Sequence, residues 1–235
     1  MMPAPGGHTV KSFDEDIDRL RTLVSEMGGL AEAQIAAAID ALVRRDIDAA
    51  AEVVAGDARM DAMEAEAERE AVTLIALRAP MADDLREIIS AIKIAAVLER
   101  IGDYAKNIGK RVPALAQAAP VQPVVIIPEM AREAADMLRR ALDAYVDHDA
   151  ELAREVMASD RRVDDFYNSL FRSLLTYMME NPHHISQSAH LLFIAKNLER
   201  VGDHATNIAE MVLFSITGER FADRERSDTT PSITA

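Results

Sequence analysis

Two stretches of the chain, LERIGDYAKNI (98–108) and LERVGDHATNI (198–208), each contain a glutamate followed four residues later by an aspartate. The pairs are Glu99 with Asp103 and Glu199 with Asp203. A spacing of four places both carboxylates on one face of an α-helix, one turn apart. Clustered carboxylates are ligands for iron, manganese, magnesium, calcium or zinc.

A second acidic pair, Asp57 and Asp61, precedes the first of these stretches. When two antiparallel helices are joined by a short turn, residues lie side by side if the average of their numbers equals the position of the turn. Positions 57 and 103 average 80, as do 61 and 99, and the helical pattern breaks at Pro80 because the residue before a proline is disfavoured in the α region. Four carboxylates are therefore predicted to converge on one patch.

The second half of the chain repeats the arrangement with Asp160 and Asp164. Positions 160 and 203 average 181.5, as do 164 and 199, and the break lies in ENPH (180–183). Like charges one turn apart cost about 0.2–0.5 kcal/mol per pair. A multivalent cation removes this repulsion, so the spacing predicts a metal site at each quartet. The alternative for any single pair is a solvated acidic face.

Apolar residues around both stretches recur with alternating gaps of four and three, which is typical of the buried side of a helical bundle. The acids lie off this apolar side, on the outer face. Gly102 and Gly202 lie beside the acids and leave room for an ion or for a closely packed helix. The apolar positions are Ile94, Leu98, Ile101, Ala105, Ile108 and Val112, then Ile194, Leu198, Val201, Ala205, Ile208 and Val212.

Composition restricts the class of protein. The absence of cysteine excludes disulfides and thiolate ligands, and a formal net charge of −14 opposes binding to nucleic acid. The N-terminal residues lack the apolar core of a signal peptide, and the longest uncharged stretch, 112–128, contains four prolines and cannot form a spanning helix. We therefore expect a soluble cytoplasmic protein.

The chain carries an internal repeat. VRRDIDAAAEVVAGDARMD (43–61) aligns without gaps on VDHDAELAREVMASDRRVD (146–164) with nine identities in nineteen positions, and 93–108 aligns on 193–208 with ten in sixteen. The pattern predicts an all-α fold of two tandem antiparallel three-helix bundles. The predicted helices span 13–43, 47–78 and 84–111, then 129–146, 150–180 and 185–218, with Asp46 capping the second.

Several motifs resemble the PhoU family of bacterial phosphate-transport accessory proteins. They are MGGL (27–30), APMADDLREI (79–88), DRRVDDFY (160–167), LTYMMENP (175–182) and the two ERxGD stretches. The resemblance runs from about Phe13 to Gly218. It implies repeats at 13–112 and 128–218 related by a pseudo-twofold axis, a proline-rich linker at 113–127, and disordered ends at 1–12 and 219–235.

The resemblance also implies a function. It implies multinuclear clusters, of iron or zinc, on Asp57, Asp61, Glu99 and Asp103, and on Asp160, Asp164, Glu199 and Asp203. It implies a non-enzymatic homodimer that restrains the phosphate-starvation response and phosphate uptake. The expected partners are the ATPase subunit of the phosphate ABC transporter and the phosphate-sensor histidine kinase.

Two other functions compete with this interpretation. A ferritin-like di-iron carboxylate enzyme would need inward-facing glutamates and Glu-x-x-His ligands in a four-helix core, which the placement of the acids off the apolar side opposes. A metal-free helical scaffold would leave the quartets as solvated surface.

Overall fold

A computed structural model describes residues 7–118, 122–159 and 161–218, with the backbone alone at 7–14, 122 and 123. The described residues form α-helices and short 3-10 helices and include no strand. The α-helices are α1 (Gly7–Arg44), α2 (Ile47–Ala55), α3 (Asp57–Arg78), α4 (Ala82–Gly109), α5 (Val112–Ala116), α6 (Ile127–Asp147), α7 (Ala150–Ser159), α8 (Arg161–Glu180) and α9 (Ile185–Thr217). The 3-10 helices are Gln122–Ile126 and Pro182–His184.

These helices form the two predicted bundles. Helix α1 packs against α3 and α4 in the first repeat, and α6 packs against α8 and α9 in the second. The repeats meet through equivalent elements, because α4 packs on α9 and α1 packs on α6. Such pairing of like with like is the contact pattern of a pseudo-twofold arrangement, which confirms the predicted fold class.

The apolar sides predicted for α4 and α9 form the centre of the core. All twelve predicted positions are buried; Ile94 to Ile108 lie on α4, Val112 begins α5, and Ile194 to Val212 lie on α9. The heptad spacing is therefore confirmed in both repeats. No described helix combines the length and apolar character needed to cross a membrane.

A close contact between α1 and α6 depends on a glycine. A β-carbon built on the buried Gly28 would lie only 2.5 Å from Leu142 Cδ1, whereas one built on Gly29 would meet nothing within 4 Å. The first glycine therefore allows α1 to approach α6, and α1 continues through both glycines without a break.

The middle helix of the first repeat differs from the prediction of one helix over 47–78. It is interrupted at Gly56, so that α2 ends at Ala55 and Asp57 begins α3. The Gly56 carbonyl accepts a hydrogen bond from Gln34 Nε2 of α1 at 3.2 Å, in addition to one from the Arg59 amide at 3.2 Å. In the second repeat α7 ends at Ser159 and α8 begins at Arg161.

The turns between helices follow local capping rules. Asp46 Oδ1 accepts hydrogen bonds from the Asp48 and Ala49 amides, each at 3.0 Å, which confirms the predicted N-cap. Its counterpart Asp149 accepts from the Glu151 and Leu152 amides at 2.9 and 3.0 Å. The two repeats thus begin their middle helices in the same way.

The connection between the repeats contains two short helices where an irregular proline-rich linker was expected. Pro113 lies in the first turn of α5, a position where proline costs no hydrogen bond. Arg45 of the first repeat donates hydrogen bonds to the Leu115 and Ala116 carbonyls, each at 2.8 Å, and also to the Ala118 carbonyl. This arginine ties the connection to the turn between α1 and α2.

Helix α1 begins at Gly7, six residues before the predicted start, so 7–12 are helical in a region expected to be disordered. Residues 1–6 and the predicted disordered tail, 219–235, lie outside the described residues.

Candidate functional site

Helices α3 and α4 bring five acids together, and we call this set the first acidic cluster: Asp57, Asp61, Glu64, Glu99 and Asp103. Burial raises the pKa of Glu99, and the negative charges of Asp103, Glu64, Asp61 and Asp57 raise it further. Each of these carboxylates is thus close enough to Glu99 to repel its ionised form. The registry predicted across Pro80 is therefore correct for all four predicted acids.

A lysine neutralises part of this cluster. Lys106 Nζ, one turn after Asp103, donates a hydrogen bond to Asp57 Oδ2 at 2.5 Å and another to Asp103 Oδ1 at 2.7 Å. These two hydrogen bonds raise the pKa of Lys106 well above its ordinary value. Asp57 is buried, at 9% exposed, and it starts α3, where the helix dipole also favours a negative charge.

The second acidic cluster contains Asp164 of α8 with Glu199 and Asp203 of α9, while Asp160 lies outside the described residues. Glu199 is only 2% exposed, which contradicts the expected outer face, because α8 packs against this part of α9, with Val163 beside Gly202. Burial raises the pKa of Glu199, although Lys196 opposes this and Asp164 adds to it. The pKa of Asp203 is also raised, by partial burial and then by Glu199 and Asp164.

Glu199 lacks a complete set of partners. Its Oε2 contacts Lys196 Nζ, but its buried Oε1 accepts no hydrogen bond from the residues that the structure describes. An ionised oxygen left without a partner in the interior is costly. The second cluster therefore has an unmet requirement for a positive group or a donor.

The two clusters differ at three aligned positions. Tyr167 replaces Glu64, Lys196 replaces Ala96, and Thr206 replaces Lys106. The Lys196 ammonium lies 5.2 Å from the centre of the Tyr167 ring. Each cluster thus contains one lysine. In the first cluster Lys106 follows the Glu-x-x-x-Asp pair, and in the second Lys196 precedes it.

The lysines and Glu64 were not predicted, although each lies three residues from a predicted acid and so on the same helical face. Across the described ranges, no three Asp, Glu or His side chains are arranged to hold one ion. In the first cluster the reason is that Lys106 occupies the space between Asp57 and Asp103.

The glycines beside the acids serve helix packing. A β-carbon on Gly102 would lie 3.1 Å from Gln34 Oε1 and 3.3 Å from Met60 Cγ, and one on Gly202 would lie 3.4 Å from Val163 Cγ2. The neighbouring helices therefore fill the space that the sequence left open for an ion.

Between the two clusters, α4 and α9 meet through a stacked pair of rings. The Tyr104 and His204 ring centres are 5.5 Å apart at an interplanar angle of 11°, and the Tyr104 hydroxyl lies 2.9 Å from His204 Nε2. Burial lowers the pKa of His204 to about 4, with further lowering by Arg100 and Arg200. The imidazole is therefore neutral at pH 7.

Comparison with known proteins identifies the family. The family model described as "PhoU domain" matches residues 24–112 and 127–212. The chain is 53% identical over 220 residues to the "phosphate-specific transport system accessory protein PhoU homolog" of Zymomonas mobilis, covering 94% of this chain and 93% of that protein. It is 50% identical over 218 residues to the Caulobacter vibrioides protein of the same description, covering 92% and 95%.

Solved structures show the same fold. The crystal structure of PhoU from Pseudomonas aeruginosa superposes with a TM-score of 0.84 at 37% identity, covering 88% of this chain and all of that one. The "phosphate transport system regulatory protein PhoU" of Streptococcus pneumoniae superposes with a TM-score of 0.81 at 27% identity, covering 89% and 99%. With its paired helical repeats, its duplicated acidic clusters and these relatives, the chain belongs to the PhoU family.

Proposed function

We propose that this protein is a non-enzymatic cytoplasmic regulator of phosphate homeostasis. In this role it restrains the phosphate-starvation response and high-affinity phosphate uptake when phosphate is plentiful. The observation that carries the proposal is the 53% identity, over 94% of the chain, to a protein described as a phosphate-specific transport system accessory protein. The ferritin-like enzyme is not favoured, because the family is that of accessory and regulatory proteins.

The proposed mechanism is that of an adaptor between the ATPase subunit of the phosphate ABC transporter and the phosphate-sensor histidine kinase. Support comes from exposed apolar residues at the two proline corners. Leu77 and Met81 are 76% and 78% exposed at the α3–α4 corner, and Met179 and Ile185 are 85% and 50% exposed near the α8–α9 corner. Neighbouring exposed apolar side chains that form a contiguous patch are typical of protein–protein contacts.

A gene deletion with complementation tests the regulatory function. Deletion is expected to switch on phosphate-scavenging genes in high phosphate, and the wild-type chain to silence them. The variant Leu77→Ser, Met81→Ser is expected to fail in silencing them, whereas the control Val43→Ser, Ile47→Ser, which alters exposed apolar residues at another turn, is expected to succeed. The proposal is wrong if deletion leaves both these genes and phosphate uptake unchanged.

We further propose that the two acidic clusters bind metal ions, with iron or zinc expected and manganese, magnesium or calcium as alternatives. The chemical nature of the donors supports this. Burial, and then the neighbouring carboxylates, raise the pKa values of Glu99, Glu199 and Asp203, and ionised forms that are disfavoured in this way gain most from a multivalent cation. The unpartnered Glu199 Oε1 supports it in the second cluster. A bound ion would supply positive charge that holds α3 against α4 and α8 against α9.

Lys106 and Lys196 affect how readily the carboxylates of each cluster can coordinate a metal ion. In the first, Lys106 must leave Asp57 and Asp103 before these carboxylates can coordinate an ion. In the second, the free oxygen of Glu199 can accept an ion without displacing the Lys196 contact to Oε2, although Asp164 and Asp203 must move before they can coordinate the same ion. The second cluster is therefore expected to bind more tightly.

Calorimetric titration of zinc or manganese into chelator-treated protein tests this proposal. Glu199→Gln is expected to remove the tighter binding phase, and Glu99→Ala, Asp103→Ala the weaker phase. Glu66→Gln, Glu70→Gln on α3 provides a control with the same spacing and charge change outside the clusters. A wild-type chain that binds none of these ions would support the metal-free scaffold. The homodimer that we also propose is tested by sedimentation equilibrium.

A further inference from the structure

The second repeat presents an apolar surface on the paired helices α8 and α9, which we call the α8–α9 face. It consists of two rows of side chains, one on each helix, with a spacing of four residues that keeps each row on one side of its helix. Leu175 is 36% exposed and Phe193 is 43% exposed. Taken in pairs across the two helices, the members are Phe171 with Phe193, Leu175 with Ala189, and Met179 with Ile185.

The contact between Tyr167 and Lys196 shows how the two rows are aligned. The Lys196 ammonium lies over the Tyr167 ring, and the numbers of these residues average 181.5, while each of the three pairs averages 182. Phe171 lies one turn after Tyr167, with ring centres 6.3 Å apart, and Phe193 lies about one turn before Lys196. The rows therefore lie side by side, from the second acidic cluster to the α8–α9 corner.

This part of the chain contains few acidic residues. Glu180 is the only acid in 166–198, beside two basic residues and three histidines. The equivalent part of the first repeat, 63–98, has Glu68 and Lys93 in the places of the two phenylalanines. It contains seven acids, which are Glu64, Glu66, Glu68, Glu70, Asp83, Asp84 and Glu87. The α8–α9 face therefore lacks the negative charge of its counterpart.

Basic groups border the apolar rows on both helices. The Arg111 guanidinium carbon lies 4.1 Å from the centre of the Phe193 ring, and Arg172 is exposed on α8. Lys196 contributes less charge to this border, because it already contacts Glu199. The α8–α9 face is thus apolar and aromatic at its centre and positively charged at its edge.

We propose that the α8–α9 face binds an amphipathic helix of a partner protein that carries acidic side chains beside its apolar positions. This inference rests on the adaptor function proposed above and assigns one partner to the second repeat alone. Two parallel rows of apolar side chains can be covered by a helix whose apolar residues recur every three or four positions. The arginines at the edge favour an acidic partner over a basic one.

A membrane surface fits this face less well than a protein does. Apolar residues beside basic ones also bind anionic lipids, but such sites carry about four to eight lysines and arginines, and this face has two arginines. The net charge of −14 also opposes approach of the chain to a negatively charged bilayer.

Two labelled synthetic peptides serve as probes. Both are amphipathic helices of about 18 residues with leucine at every third or fourth position, and they carry either glutamate or glutamine on the flanking positions. Fluorescence anisotropy during titration with chelator-treated protein measures their affinities, since a bound metal ion would itself attract glutamate. The glutamate peptide is expected to bind at least about threefold more tightly than the glutamine peptide.

Variants of exposed residues locate the binding surface. Met179→Ser, Ile185→Ser removes apolar side chains from the α8–α9 face and is expected to weaken binding of the glutamate peptide about tenfold. Arg172→Glu is expected to abolish the preference for glutamate over glutamine. The matched control is Leu77→Ser, Met81→Ser, which removes exposed apolar residues from the α3–α4 corner and is expected to bind as the wild type does.

The inference is overturned if the glutamate peptide does not bind at protein concentrations up to about 1 mM, or if both peptides bind equally. It is also overturned if the Met179→Ser, Ile185→Ser variant binds as the control does. Sedimentation of the wild type, but not of this variant, with vesicles of phosphatidylglycerol and phosphatidylcholine would instead assign the face to a membrane. All these measurements use purified protein, so their failure is distinct from failure of the gene-deletion test of the regulatory function.

Discussion

The Tyr104 hydroxyl and His204 Nε2 are 2.9 Å apart, although 100 positions separate the two residues in the chain. They occupy the same place in the two repeated stretches, so the contact joins each repeat to its copy near the pseudo-twofold axis. The acidic clusters lie to either side, on α3 with α4 and on α8 with α9. The duplicated sequence thus places one acidic cluster in each repeat and a ring pair at the contact between the repeats.

Replacement of Lys106 by methionine should reveal its role as an internal cation. Without metal, the buried Asp57 loses its partner, and the free energy of unfolding is expected to fall by about 1–3 kcal/mol. With zinc or manganese present, the variant no longer has a lysine competing for Asp57 and Asp103. The rise in melting temperature on adding metal should therefore be larger for Lys106→Met than for the wild type.

Thermal unfolding with and without added metal measures both effects. Lys110→Met, which alters an exposed lysine at the end of α4, is the matched control. Equal metal-induced shifts in Lys106→Met and the wild type would show that Lys106 and a metal do not compete for the same carboxylates.

Acidification should destabilise the protein through His204. Its pKa is 6.5 in the unfolded chain and about 4 in the folded one, so between these values the unfolded state binds the proton first. Stability from the neutral imidazole is complete above pH 6.5 and is lost as the pH falls toward 4. Because the side chain is only partly buried and solvent screens it, the loss is expected to be about 1–2 kcal/mol.

His204→Phe isolates this effect, because phenylalanine can stack on Tyr104 but does not titrate. The variant should be less stable than the wild type at pH 7, and the difference should narrow by about 1–2 kcal/mol at pH 4. The raised pKa values of Glu99 and Glu199 act in the opposite direction but are common to both proteins. Urea unfolding of metal-free protein at each pH measures the difference; a constant gap would contradict the expected titration.

Two adjacent glycines of α1 provide a test of the contact between the repeats. Gly28→Leu forces a side chain against Leu142 of α6 and is expected to lower the free energy of unfolding by about 1–3 kcal/mol. Gly29→Leu meets open space, and because leucine favours a helix, it should raise stability by up to about 1 kcal/mol. Chemical unfolding of both variants checks this; equal effects would show that α1 and α6 do not pack as described.

Much of the fold could be predicted because it depends on periodicity and local rules. The spacing of Leu98 and its apolar neighbours, the cap at Asp46 and the registry across Pro80 each follow from adjacent sequence. The break at Gly56 was not predicted, and the side chain that contacts it, Gln34, comes from another helix, so that contact is not visible in the adjacent sequence.

The acidic clusters were predictable in part. The predicted acids followed from spacing, whereas Glu64 was missed, and the burial of Glu199 depends on how α8 packs against α9. Tertiary packing determines whether Lys106 points to solvent or to the two carboxylates. Sequence alone gave no reason to place a lysine where an ion was expected.

The metal content of the purified protein most directly tests the central proposal, that the two acidic clusters bind metal ions. The wild-type chain, purified without chelator, should contain iron or zinc by elemental analysis in a fixed ratio to protein. A variant with alanine at Glu99, Asp103, Glu199 and Asp203 should contain neither, while the control Glu66→Gln, Glu70→Gln should retain both the metal and its ratio. Wild-type protein free of iron, zinc and manganese, or equal metal in the alanine variant, would contradict the assignment of these acids as ligands.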